Sequence, residues 1–185
     1  METEKQLLQA IAKGDRVAFR RLYERFAGHA MAVALRYMGS PDDAQDVVQD
    51  AFVKVLTKVG GFTYRGEGSL KSWVMRIVVN TALDSLRDRT MLGVQVELPD
   101  MPEEEASPPV DRVPPGVLNR MIGELPPGYR TVLNLHVFEG YSHQRIGELL
   151  GIRENTSASQ LTRAKQLLAR RISEYLKQQT TDETE

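Results

Sequence analysis

Apolar residues recur along this chain at helical spacing, and no stretch sustains the period-two alternation of a half-buried strand. The clearest stripe is Ala44, Val47, Val48, Ala51, Phe52, Val55 and Leu56. Those positions fall three or four apart throughout, which predicts a helix with one buried face. Ser40 is its N-cap, Pro41 its first helical residue, and Asp42 and Asp43 complement the positive end of the helix dipole. Gly60-Gly61 ends it. By the same reasoning one helix runs over about 4–13 and stops at Gly14, and another over about 17–38 stops at Gly39. A fourth runs over about 69–89, after a loop that reads FTYRGEG from Phe62 to Gly68.

Farther on, helices are expected over 117–125, 127–138 and 142–150, and from about Asn155 to Lys177. Pro126-Pro127, Gly140 and Gly151 punctuate them. Between the two helical blocks lies VELPDMPEEEASPPVDRVPPG, Val96 to Gly116, with six prolines and no apolar period. Proline fixes φ and removes a backbone donor, so this stretch reads as an extended, mobile linker. The expectation is an all-α protein of two small helical domains. Residues 1–90 form the first, 91–115 the linker, 116–177 the second, and 178–185 a polar tail.

Charge sharpens that division. Residues 1–90 hold 14 Lys/Arg against 11 Asp/Glu, residues 91–115 hold 1 against 6, and residues 116–177 hold 9 against 5. Two mildly basic blocks flank an acidic one, too weakly basic to diagnose nucleic-acid binding alone. The 185 residues are 41% hydrophobic and 26% charged, as in a soluble globular protein. No apolar run reaches transmembrane length, and the acidic start METEKQLLQA does not read as a secretory signal. There is no cysteine, which excludes disulfides and thiolate metal sites. His29, His136 and His143 lack metal-ligand spacing, and neither a phosphate-cradling glycine loop nor a nucleophile elbow is present. No catalytic residue, metal site or cofactor is therefore expected.

The segment YSHQRIGELLGIRENTSASQLTRAK, Tyr141 to Lys165, has helix-turn-helix proportions. In that motif the second helix lies in the major groove and its early residues meet base edges. Leu161, Ala164, Leu168 and Ile172 make its buried stripe, which leaves Thr156, Ser157, Ala158, Ser159, Gln160, Thr162 and Arg163 near the front. Small side chains allow close approach, Gln pairs with adenine, and Ser and Thr suit several edges. Arg163, Lys165, Arg170 and Arg171 sit farther back, placed for phosphates. A plain helical hairpin with a solvated face fits the same residues.

Two more stretches carry candidate chemistry. On the fourth helix Ser72, Arg76, Asn80 and Asp84 follow a stride of four, with Arg87 one turn on, opposite Leu70, Trp73, Val74, Ile77 and Ala82. Arg, Asn and Asp on one face can read bases or hold phosphate; a solvated, loosely paired face is the other reading. In the preceding loop, Phe62, Tyr64 and Arg65 among glycines suit stacking with unpaired bases, or are core aromatics beside a turn. The third helix carries Asp42, Asp43, Asp46 and Asp50 opposite its stripe, more acid than the dipole requires. A basic partner accounts for them, as does a solvated face with Asp50 and Lys54 paired.

Together, in this order, the segments resemble the sigma-70 family of bacterial transcription initiation factors, and within it the extracytoplasmic-function (ECF) group. AFRRLYERFAGHAMAVALRYMGSPDDAQDVVQDAFVKVL is similar to that group's first conserved block. GSLKSWVMRIVVNTALDSLRDR is similar to its promoter-melting and −10-reading helix. LPPGYRTVLNLHVFEGYSHQRIGELLGI, followed by NTSASQLTRAKQLL, is similar to its −35-reading domain. The resemblance covers roughly residues 4–90 and 117–175.

It implies a cytoplasmic bacterial protein whose partners are core RNA polymerase (the β′ coiled coil and the β subunit), promoter DNA and an anti-sigma factor. By the same resemblance Gln45, Asp46, Gln49 and Asp50 bind core polymerase. The loop from Tyr64 to Leu70, with Arg65, Gly66 and Ser69, captures a base flipped from the −10 element. Lys71, Arg76, Asn80, Asp84 and Arg87 face the opened −10 strand, and Trp73 packs in the core. One departure concerns the last helix: the family commonly has cations where this chain has Ala158 and Gln160. Two rivals remain at this point. A polymerase-independent helix-turn-helix regulator leaves the acidic helix and aromatic loop without a role. A sigma mimic that only binds an anti-sigma factor predicts that Asn80, Arg163 and Lys165 are dispensable.

Overall fold

A computed structural model describes residues 2–88 and 108–182. Among them every regular element is a helix. In chain order they are α1 (Glu4–Ala12), α2 (Arg16–Met38), α3 (Pro41–Lys58), α4 (Ser69–Asp88), α5 (Pro115–Gly123), α6 (Pro127–Leu133), α7 (His143–Leu150) and α8 (Glu154–Asp182). The chain divides into two compact units, one ending at Asp88 and the other beginning at Arg89.

In the first unit α2, α3 and α4 pack on one another, and α1 lies against α2. The α3 stripe is buried from Ala44 to Val55, as its spacing requires, but Leu56 is 43% exposed, where it lines an open pocket with Leu8 and Phe19. Ser40 accepts from the Asp43 N–H, the cap its position predicts. Leu22, Phe26, Ala30, Ala34 and Tyr37 of α2 meet Leu70, Val74, Val78, Ala82 and Leu86 of α4 in one core. Full burial of each large apolar side chain contributes roughly 1.5–3 kcal/mol. The buried register of α4 runs through Val78 and Val79, so Ile77 and Trp73 are only half-buried.

In the second unit α5, α6 and α7 all rest on α8. Buried Arg130 donates to the carbonyls of Gly123 and Leu125, and Arg171 donates to that of Met121 and pairs with Glu124. Both cations therefore sit at the negative end of α5 and tie it to α6 and α8. Three boundaries differ from expectation. The helix expected over 127–138 is α-helical only to Leu133 and continues as a wider π turn, Asn134–Phe138. The residues expected as a polar tail continue α8 to Asp182, since nothing in that polar run breaks a helix. Of the expected linker, 91–107 lie outside the described residues; its end is ordered, with a 3-10 turn at Val110–Arg112, Val113 buried, and Pro115 already at the first position of α5.

Candidate nucleic-acid interface

The loop between α3 and α4 is held by charge as well as by packing. Gly66 and Gly68 have φ of 126° and 89°, values a side chain rarely adopts. Ser69 Oγ donates to the Gly66 carbonyl at 2.6 Å and accepts from the Arg65 N–H at 3.2 Å. Ser72 Oγ donates to the Gly68 carbonyl at 2.9 Å. The Glu4 carboxylate, brought by α1, accepts from the N–H groups of Gly68, Leu70 and Lys71 at 2.9, 3.0 and 3.1 Å. Glu67 in turn accepts from the Glu4 N–H at the start of α1, at 3.2 and 3.3 Å, and from Arg25 at 3.0 Å. The Tyr64 hydroxyl lies 3.4 Å from Glu67. Desolvation, and then the neighbouring Glu67 and Glu4 charges, raise the Tyr64 pKa above its ordinary 10, so the phenol stays neutral.

Beside this loop is an open pocket of about 380 Å³. Phe62, Arg65, Trp73 and Arg76 are among its lining residues, with the Phe62 and Trp73 rings 5.0 Å apart. Trp73 is thus both a packing residue and a wall. Lys71, Ser72, Arg76, Asn80, Asp84 and Arg87 are all exposed along α4, in the expected stride. Asp84 is partnered by Arg87 at 3.4 Å and by Lys54 at 3.7 Å, and Lys54 also donates to Thr81 Oγ1. Lys54 thus ties α3 to α4 instead of pairing with Asp50, as the solvated-face alternative would have it. Leu70 departs from its expected role: its side chain is fully buried and its N–H is taken by Glu4. Its side chain packs inward and shapes the loop from beneath.

On α3, Gln45, Asp46, Gln49 and Asp50 are exposed together. Among the described residues no cation lies within ion-pair distance of Asp46 or Asp50. Val53, one turn beyond, is 61% exposed and extends the acidic face with an apolar spot that the sequence reading left out.

At the helix-turn-helix, α7 ends at Gly151 in the left-handed conformation, and Ile152 N–H returns to the Gly147 carbonyl. Gly147 has no room for a side chain: a Cβ would stand 2.7 Å from the Ile152 carbonyl oxygen. On α8, Ser159, Thr162 and Lys165 are exposed, and Thr156, Ala158 and Arg163 half-exposed. Ser157 and Gln160 depart from expectation. Ser157 is fully buried, with Oγ 2.9 Å from His143 Nδ1, and Gln160 is buried against Gly128. Both lie on the inward stripe with Leu161 and Ala164, so their side chains are not on the outward face where the sequence reading put them. Ser159 Oγ donates to the carbonyls of Asn155 and Thr156, and Thr162 Oγ1 to that of Ala158, so outward they present acceptors and a methyl.

The sequence pattern of Sigma-70 region 2 matches residues 22–91, and that of Sigma-70, region 4 matches residues 116–168. The ECF RNA polymerase sigma factor SigM of Mycobacterium tuberculosis is 31% identical over 172 residues, covering 91% of this chain and 84% of its own. This chain belongs to the sigma-70 family, in its ECF group. It is an RNA polymerase sigma factor, which binds core polymerase, recognises promoter DNA and initiates transcription. The RNA polymerase sigma-H factor of Pseudomonas aeruginosa is 27% identical over 191 residues, covering 96% of this sigma factor and 97% of its own length. Among solved structures, "Structure of CnrH in complex with the cytosolic domain of CnrY" shares 25% identity at a TM-score of 0.48, covering 93% of this chain and 98% of that one. No helix among the described residues is long and apolar enough to cross a membrane.

Proposed function

We propose the following division of labour within this sigma factor. Gln45, Asp46, Gln49 and Asp50, with Val53, dock on a basic surface of the polymerase β′ coiled coil. The pocket lined by Phe62, Arg65, Trp73 and Arg76 receives one unstacked base of the −10 element. Lys71, Arg76, Asn80 and Arg87 follow the opened strand along α4, while Asp84 orients Arg87. Thr156, Ala158, Ser159 and Thr162 face −35 bases, and Arg163 and Lys165 hold phosphates. Extruding a base costs a few kcal/mol of stacking, and aromatic walls with two guanidinium groups offset that cost. The protein acts in the bacterial cytoplasm, and an anti-sigma factor is its further partner by family habit.

One observation carries this reading: a pocket with two aromatic walls and two arginines opens at the head of the exposed Arg76–Asn80 face. The test uses a promoter selected by the reconstituted holoenzyme. Asp46→Arg with Asp50→Arg is expected to abolish co-elution with core polymerase. Arg76→Ala with Asn80→Ala is expected to keep co-elution and weaken binding of the −10 single strand about tenfold or more. Intact co-elution in the first variant, or intact strand binding in the second, would overturn the corresponding assignment.

A further inference from the structure

We propose that Glu4 is a positioning residue for −10 base capture, holding the loop and the first turn of α4 in the receptive shape through a carboxylate supplied by α1. The inference rests on the proposed role of that pocket. Glu4 is 2% exposed, yet among the described residues its carboxylate is met by backbone N–H groups and by no cationic side chain. Its two oxygens meet three backbone N–H groups at the start of α4, where the helix leaves donors unpaired and its dipole is positive. Such charge-assisted bonds are roughly twice as strong as neutral ones.

The arrangement is reciprocal. Glu67, inside the loop, accepts from the Glu4 N–H, so the helix that caps the loop is itself capped by the loop. Arg25 on α2 closes the network, donating to Glu67 and to the Glu2 carbonyl at 2.8 Å. Arg65 and Ser69 line the pocket on the same turn that Glu4 fixes. A carboxylate 64 to 67 residues away in sequence thus sets where these two side chains stand. Such order removes part of the entropy loss that base capture imposes on a flexible loop. Simple stabilisation of the unit is the competing role, and the two differ in what they do at a single base.

The experiment measures holoenzyme binding to the −10 single strand with an abasic site placed at each position in turn. Wild type is expected to lose most at one position, the captured base. In Glu4→Gln, which keeps the shape but not the charge, that one penalty should shrink about tenfold. Affinity for the strand already abasic there, and co-elution with core polymerase, should stay as in wild type. Glu67→Gln, at a more exposed site, should shrink the same penalty by a smaller factor, and it decides the matter if Glu4→Gln fails to fold. Equal weakening at every position would overturn the inference and leave a structural role. So would an unchanged penalty in both variants while Arg76→Ala reduces it. If Arg76→Ala also leaves every position unchanged, the base-capture reading falls, and the inference falls with it.

Discussion

The two helices proposed to face DNA in this sigma factor are prepared in opposite ways. The start of α4 is organised from a distance: Glu4 of α1 caps it, Glu67 answers, and Arg25 of α2 joins them. The start of α8 is organised locally. Its hydroxyls bond the carbonyls of their own helix, and Ser157 meets His143 one helix earlier. A helix that reads intact duplex needs only its own correct pitch and a firm seat. A site that must hold an extruded base needs its loop shaped before the base arrives, and charge from a distant element supplies that shape.

The largest expected effect breaks the seat of α8. Gly147→Ala places a methyl 2.7 Å from the Ile152 oxygen, and backbone, not a flexible side chain, must give way. Such overpacking costs about 1–3 kcal/mol. Amide protection across α7 and α8 should fall and −35 duplex binding should drop, while −10 strand binding by the holoenzyme is kept. Loss of both would show that the two helices are not independently prepared.

A more local effect, confined to single contacts, separates grip from reading on α8. Lys165→Ala should lower the salt dependence of −35 binding by about one unit of slope and weaken all sequences alike. Thr162→Val removes the outward acceptor but keeps a methyl of the same shape. It should leave the salt slope unchanged and alter preference at one base pair by roughly 1–3 kcal/mol. Titrations over salt with single-base-pair substitutions distinguish the two; a changed slope in Thr162→Val would refute the assignment.

Much of this was legible in the sequence, because it is periodic or local. Ser40, Pro41 and the α3 stripe announced their helix, and the stride from Ser72 to Arg87 announced an exposed face. The inward turn of Ser157 and Gln160 was legible too, since both continue the stripe of Leu161 and Ala164 backward by four residues. Their polarity suggested surface, and phase decided otherwise. The cap that Glu4 gives α4 left no such trace. Nothing in the spacing of α1 distinguishes a carboxylate that stays in solvent from one whose partners lie 64 to 67 residues on. The pocket was half legible: Phe62 and Arg65 stood out in FTYRGEG, but Trp73 and Arg76 join them only through the fold, and Tyr64 lines a different pocket.

The smallest expected effect concerns acid, and it should fall on the locally organised unit. The rings of His136 and His143 stack 4.4 Å apart with planes 2° from parallel, beneath the start of α8. His136 Nδ1–H donates to the Tyr141 carbonyl at 2.9 Å, which fixes its tautomer. Desolvation, then His136, then Lys165 lower the pKa of His143 below its ordinary 6.5, and Glu154 opposes them. The folded unit therefore binds fewer protons than the unfolded chain just below that value. Stability is full above about pH 6.5 and is lost as pH falls toward the depressed folded value. Lowering the pH from about 8 to about 5 should reduce amide protection in α7 and α8. His143→Gln should remove that pH-linked part while leaving Trp73 emission, which reports the other unit, to follow its own course. The same acid loss in His143→Gln as in wild type would place the titrating group elsewhere in the unit and detach the stacked pair from the stability of the reading helix.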